Sequence, residues 1–242
     1  MKKILLPISL IYSFVLFVRH KFYDLGLLKS KSFNVPNICV GNLNLGGTGK
    51  TPHIEYLVRL LSDKYKVAVL SRGYGRNTKG FVFADENSSH NDIGDEPLQY
   101  FNKFKNIDVA VDESRCDGMI RLLQRETPPQ IVLLDDAYQH RKIKPGLNIL
   151  LTDYYNLYSN NFLLPTGNLR DIKKAAKRAD IIVVTKSPNV ITPYYKRDIE
   201  QSLKPLSHQK IFYSYIDYQD FQPFSKASHN IDLKDIKTIL LF

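Results

Sequence analysis

The run Asn44-Leu45-Gly46-Gly47-Thr48-Gly49-Lys50-Thr51 sets glycines, an amine and a hydroxyl at the spacing a phosphate chain requires. Gly46, Gly47 and Gly49 let successive backbone N–H groups turn inward around phosphate oxygens, Lys50 reaches the outer phosphates, and the Thr51 hydroxyl is placed to hold Mg²⁺. A nucleoside triphosphate is the implied ligand. Asn44 stands where G-x-x-x-x-G-K-[ST] has its first glycine, and an ordinary glycine-rich turn is the competing reading. The setting favours the phosphate loop: the apolar run Asn37-Ile38-Cys39-Val40 precedes it, and a helical pattern over residues 52–62, opening on Pro52, follows and adds the partial positive charge of a helix N-terminus.

Further along, Ile131-Val132-Leu133-Leu134-Asp135-Asp136 is an apolar strand ending in paired carboxylates. Beside a phosphate loop, such a strand end can hold Mg²⁺ and offset triphosphate charge. Without the loop it would be a strand-end turn. Gly94-Asp95-Glu96-Pro97 puts two more carboxylates at the start of a helical pattern. They are either partners of the helix dipole or, for one of them, a base for a substrate hydroxyl, and spacing leaves both readings open. Ser71-Arg72-Gly73-Tyr74-Gly75-Arg76 follows a strand and joins glycines to two guanidinium groups, a composition suited to anions. Gln139-His140-Arg141 and Arg170 add polar donors that singly read as solvated surface. Thr185-Lys186-Ser187-Pro188 argues against a guanine site, because Pro188 occupies the position of the base-reading carboxylate.

These groups need a scaffold, and the chain alternates β-rich apolar runs with helical patterns. The runs fall at residues 38–40, 66–71, 80–83, 107–111, 131–135, 147–152, 181–185, 211–215 and 239–242. This predicts an α/β fold of P-loop NTPase type, a mainly parallel sheet with flanking helices. The continuously apolar runs at 131–134 and 181–184 are expected to be central strands. Residues 77–93 read as a polar excursion or β-ribbon, and residues 154–168 as a boundary. The expected organisation is a membrane-associated helix over residues 1–22, a nucleotide-binding domain over 23–153, and a smaller, partial second α/β domain over 154–242.

The N-terminal apolar run, 4–18, is flanked by Lys2-Lys3 and Arg19-His20-Lys21 and is shorter than the ~20 residues that span a bilayer, so a helix lying in the interface is expected. A buried core helix is the other reading of a run this length, and no small-residue cleavage site supports a signal peptide. With 34 Lys+Arg against 24 Asp+Glu the chain carries a formal charge of +10, which suits nucleic acid, anionic lipid or a phosphorylated substrate. The absence of zinc-finger spacing and of an aromatic-basic RNP motif lowers the first. Cys39 and Cys116 suggest neither a disulfide framework nor a zinc site. The run Lys173-Lys174-Ala175-Ala176-Lys177-Arg178 sets several cations on one helical surface, facing solvent or anionic headgroups.

Taken together, the N-terminal apolar helix, Val40-Gly41-Asn42 leading into Gly46-Gly47-Thr48-Gly49-Lys50-Thr51-Pro52, Leu70 through Arg76, Gly94-Asp95-Glu96-Pro97, Leu134-Asp135-Asp136 with Gln139-His140, Leu164-Pro165 through Leu169-Arg170, and Arg178-Ala179-Asp180 resemble the tetraacyldisaccharide 4'-kinase family. The resemblance implies transfer of the ATP γ-phosphoryl group to the 4'-hydroxyl of a tetraacylated glucosamine disaccharide 1-phosphate, giving lipid IVA at the cytoplasmic face of the bacterial inner membrane. It implies ATP and Mg²⁺ as cofactors, an acylated disaccharide 1-phosphate lipid and an anionic membrane surface as partners, and no nucleic acid; nothing points to a protein partner. By the family's pattern residues 44–51 cradle the nucleotide, Asp95 is the base, Thr51, Glu96, Asp135 and Asp136 support the metal, and Arg72, Tyr74, His140 and Arg170 lie near the substrate. Ala137 stands where the family usually has glycine. Family members also continue into a glycine-rich turn and a distal His that partners the catalytic Asp, so the resemblance implies a C-terminally truncated chain of weak or no activity. A membrane-associated P-loop ATPase switch and a non-catalytic nucleotide-binding fragment are the rival readings.

Overall fold

Four-residue runs of Val, Ile and Leu that are apolar at every position cannot present a wet face, so they must be covered on both sides. The computed structural model, which describes residues 5–217, places them in that setting. Its strands are β1 (Asn37–Asn42), β2 (Val67–Ser71), β3 (Val82–Phe83), β4 (Asp108–Val111), β5 (Ile131–Asp135), β6 (Leu147–Asp153), β7 (Ile181–Thr185) and β8 (Lys210–Tyr213). They form one sheet of order β3-β4-β2-β5-β1-β6-β7-β8, parallel throughout except for the antiparallel pairing of β3 with β4. The strand expected over residues 239–242 lies outside the described residues.

The helices are α1 (Leu6–Asp24), α2 (Lys50–Leu61), α3 (His90–Ile93), α4 (Asp95–Lys103), α5 (Arg115–Leu123) and α6 (Pro193–Leu203). Alternate residues of each strand enter opposite cores: Cys39, Ala68, Val132 and Leu150 on one face, Val40, Val69, Leu133 and Leu151 on the other. The second core is closed by Ile54 and Val58 of α2 and Tyr100 of α4, the first by Met119 and Leu122 of α5.

Strand order decides what sits beside what. The chain leaves β1 through α2 to β2, then returns as β5 between them, pairing Leu70 with Leu134 on one side and Val40 with Asp135 on the other. The ends of β1, β2 and β5 therefore open on one crevice, where ligands collect in open α/β sheets. The polar excursion supplies β3 and the one-turn α3. The boundary expected at 154–168 falls between β6 and β7, which are hydrogen-bonded neighbours, so the described part of the expected second unit extends the same sheet. The cationic run Lys173–Arg178 is a 3₁₀ helix that buries Ala175 and Ala176 and leaves Lys174 and Lys177 exposed.

Helix α1 is turned inside out relative to a helix on a soluble core. Its buried residues are Ser9, Leu16 and His20, while Leu10, Ile11, Phe14 and Val15 are 63%, 67%, 67% and 56% exposed. The inward stripe is held by polar contacts. Ser9 shares a 2.6 Å hydrogen bond with Thr166, Tyr12 donates to the Arg170 carbonyl at 3.0 Å, and His20 Nε2 lies 2.6 Å from Asp171.

Candidate active site

The glycine-rich loop turns through two left-handed positions, Gly46 (φ 103°) and Gly49 (φ 82°), a conformation that costs other residues a Cβ clash. Gly49 caps α2, which begins at Lys50, two residues ahead of the helix expected from Pro52. Lys50 and Thr51 thus lie in its first turn, where a proline third in line forfeits no intrahelical bond. Asn42, at the end of β1, donates to Thr48 Oγ1 at 2.7 Å and fixes the loop from inside. Asn44 does not line the cradle. It is buried, donates to the Asn156 carbonyl at 2.9 Å and, with the 2.6 Å bond from Leu45 N to Asn168 O, clamps the loop's first half to the segment after β6. That anchoring explains why an asparagine can replace the glycine.

Two helix N-termini meet at this loop. The Thr51 hydroxyl donates to Glu96 Oε1 at 2.9 Å, joining the first turn of α2 to that of α4. Asp95, the first residue of α4, is exposed beside it. Gly94 holds the turn: at φ 89° it lies so close to the preceding loop that a Cβ there would fall 2.7 Å from the Tyr74 carbonyl. The Arg72 and Tyr74 loop thereby backs onto the start of α4. Both side chains are exposed, Tyr74 at 88%.

The paired carboxylates diverge. Asp135 ends β5 fully buried, accepting from Ser71 at 3.3 Å and Tyr100 at 3.4 Å. Burial, then the charges of Glu96 and Asp136, push its carboxyl up to about 7 against the pull of Lys50 and Arg115. Asp136 leaves the strand at φ 46° and takes a bidentate grip from Arg170, with Lys50 Nζ 3.9 Å away. Burial opposes its ionisation, but the Arg170 hydrogen bonds and charge, with Lys50, outweigh that and hold the carboxyl below its usual range. One carboxyl is therefore poised near neutrality while its neighbour stays ionised.

His140 lines a 290 Å³ cavity with Arg19, Tyr23, Arg115 and Arg141, and burial followed by the charges of Arg115 and Arg72 lowers it to about 4. Arg115 reaches back to the Asp135 carbonyl at 3.0 Å, so this cavity adjoins the strand end. Of the expected site residues, Lys50, Thr51, Glu96, Asp135, Asp136 and Arg170 form one connected cluster. Arg72, Tyr74 and Asp95 border it without hydrogen bonds from their side chains among the described residues.

Asn42, Ser71, Tyr100 and Arg115 are parts of this site that the sequence reading did not single out for it. Asn42 also accepts from Arg170 and, through its carbonyl, from Gln139 at 2.7 Å. Only Asn42 and Ser71, each at the polar end of an apolar run, carried a signal.

The residues fit a Mg²⁺ ion that arrives with a nucleotide. Asp135 Oδ1 is buried without a partner, and Mg²⁺ in such sites takes one or two protein carboxylates and completes its shell with phosphate and water. Among the described residues no three His, Cys, Asp or Glu side chains form a ready cage.

A family model described as LpxK: Tetraacyldisaccharide-1-P 4'-kinase matches residues 1–237. The chain belongs to this family. It is 50% identical over 238 residues to a tetraacyldisaccharide 4'-kinase of Flavobacterium johnsoniae, covering 98% of this chain and 69% of that one. To the enzyme of that name from Bacteroides thetaiotaomicron it is 50% identical over 232 residues, covering 95% and 61%. The crystal structure of "apo" form LpxK from Aquifex aeolicus in complex with ATP superposes with a TM-score of 0.72 at 32% identity, over 92% of this chain and 85% of that one. The chain thus spans roughly two thirds of the length of these curated family members.

Proposed function

We propose that the chain transfers the γ-phosphoryl group of ATP to the 4'-hydroxyl of a tetraacylated disaccharide 1-phosphate at the cytoplasmic face of the inner membrane. The observation that carries this reading is the hydrogen bond of Thr51 to Glu96 at the joined N-termini of α2 and α4, beside the pairing of Lys50 with Asp136, with Asp95 exposed one residue from Glu96. In this reading the N–H groups of residues 46–51 and the Lys50 amine hold the triphosphate. Thr51, Glu96, Asp135 and Asp136 are the oxygens that would hold Mg²⁺, which supplies neutralisation of phosphate charge. Asp95 takes the proton from the acceptor hydroxyl as that oxygen bonds to the γ-phosphorus and the bond to ADP breaks. Arg170 keeps Asp136 ionised and in place.

The outward apolar face of α1 supports a peripheral membrane site, since among the described residues no helix is long and apolar enough to cross a bilayer. The test is Asp95→Asn, assayed for labelled phosphate on the acylated disaccharide. The expected loss is at least 100-fold with nucleotide binding unchanged. Equal transfer by the variant refutes Asp95 as the base, and ATP consumption by the parent that ignores the lipid and labels nothing refutes the kinase reading.

A further inference from the structure

Helix α1 is flanked by two cavities whose lining residues share Arg141 alone. The second, of 160 Å³, has no residue from the glycine-rich loop, α4 or β5. Its floor is Ile172 and Ala175, and its walls carry Lys21 of α1 and Lys174, Lys177 and Arg178 of the 3₁₀ helix. Two of its cations are already paired, Arg141 with Asp24 at 2.9 Å and Arg178 with Asp171 at 3.3 Å. Among the described residues Lys21, Lys174 and Lys177 face no carboxylate within ion-pair distance, and Arg178 Nε is buried without a hydrogen-bond partner. The cavity therefore keeps an excess of cations.

Its rim has the opposite character. Phe17, 43% exposed, lines the cavity and belongs to the outward apolar face that continues through Phe14 and Leu10. A ligand that suits both must be anionic at its head and apolar behind.

We propose that this cleft between α1 and residues 172–178 binds the phosphodiester headgroup of an anionic glycerophospholipid, with the acyl chains leaving along Phe17 and Phe14. The lipid is a bystander of the membrane rather than the acceptor, because no residue of the glycine-rich loop, α4 or β5 lines the cleft. The inference rests on the membrane-surface reading of α1 and adds a defined headgroup contact to it.

The chain has no tryptophan, so Phe17→Trp in the full chain is a single reporter of insertion. Titration with phosphatidylcholine vesicles, and with vesicles that also contain phosphatidylglycerol, is expected to show a blue shift in both and clearly tighter binding to the anionic ones. Adding Lys174→Glu and Lys177→Glu should weaken anionic-vesicle binding about twentyfold and leave neutral-vesicle binding within threefold. Lys64→Glu with Lys105→Glu, exposed on other elements, should change little. Equal losses from the two pairs would mean diffuse attraction and overturn the cleft, as would no loss from the first pair. Displacement by free glycerol phosphate at matched ionic strength would mark a soluble-anion site and overturn the lipid assignment. If the introduced tryptophan responds to no vesicle, the membrane reading of α1 falls and the cleft with it. Unchanged nucleotide binding checks the fold of each variant.

Discussion

Asp135 and Asp136 are neighbours in sequence with opposed environments, and the difference has a measurable sign. Between the ordinary carboxyl value of 3.8 and about 7, folded Asp135 keeps a proton that the unfolded chain has released. Its contribution to stability is therefore complete below that window and lost as pH rises through it. Asp135→Asn should be more stable to unfolding than the parent at pH 8, by up to about 4 kcal/mol, and the gap should close by pH 4. A gap that does not vary with pH refutes the assignment. The same proton must leave when Mg²⁺ binds, so the parent's affinity for Mg²⁺·nucleotide, measured calorimetrically, should be weaker at pH 6 than at pH 8. Gly94→Ala should cost about 1–3 kcal/mol and reduce phosphate transfer more than nucleotide binding, because φ 89° and the Tyr74 carbonyl leave a methyl no room without moving Asp95. The phosphate loop and the Asp pair were legible because their geometry is written into consecutive residues. Arg115 and Tyr100 were not, since their partners in the site lie 20 and 35 residues away.

Strands were the easiest elements to locate, because an apolar run that must be covered on both faces leaves no other reading. Helix starts were harder. Lys50 opens α2 two residues ahead of Pro52 although a cation there opposes the helix dipole, and the left-handed Gly49 decides where that helix begins. Helix α1 was recognised from its apolar run, but its inward stripe was hidden in Ser9 and Tyr12, which interrupt that run, and in His20, which belongs to its basic flank. Asp171, which receives His20, follows Arg170 directly, so the helix is fastened next to the arginine that grips Asp136. His20→Ala should release about 2 kcal/mol of that attachment, seen as faster proteolysis within residues 25–33. It should also raise the KM for the acceptor lipid more than that for ATP. Unaltered cleavage would mean that Ser9 and Tyr12 hold the helix without it.

For the whole molecule, composition and alternation were enough to indicate a parallel α/β fold, but not the order of its strands. That β5 returns between β1 and β2 depends on which crossover packs on which face, a long-range choice that no local pattern records. It is also the choice that sets Asp135 and Asp136 beside Lys50. The expected boundary at 154–168 was drawn from a cluster of turn-forming residues, which in the fold connects two paired strands. Deleting residues 1–24 should abolish vesicle binding while leaving nucleotide binding within threefold, since α1 supplies no residue to the loop or to β5. A comparable loss of nucleotide affinity would show that α1 holds the crevice in shape. The contacts of α1 also set an order in time. Ser9, Tyr12 and His20 wait for partners 157, 158 and 151 residues further along, and at ~5–20 residues per second that wait lasts on the order of 10–30 s. Throughout it the nascent helix has apolar side chains and no protein to cover them. Ribosome-bound chains stalled before residue 163 should therefore already sediment with membrane vesicles, making the bilayer the first surface this protein meets and its own loop the second.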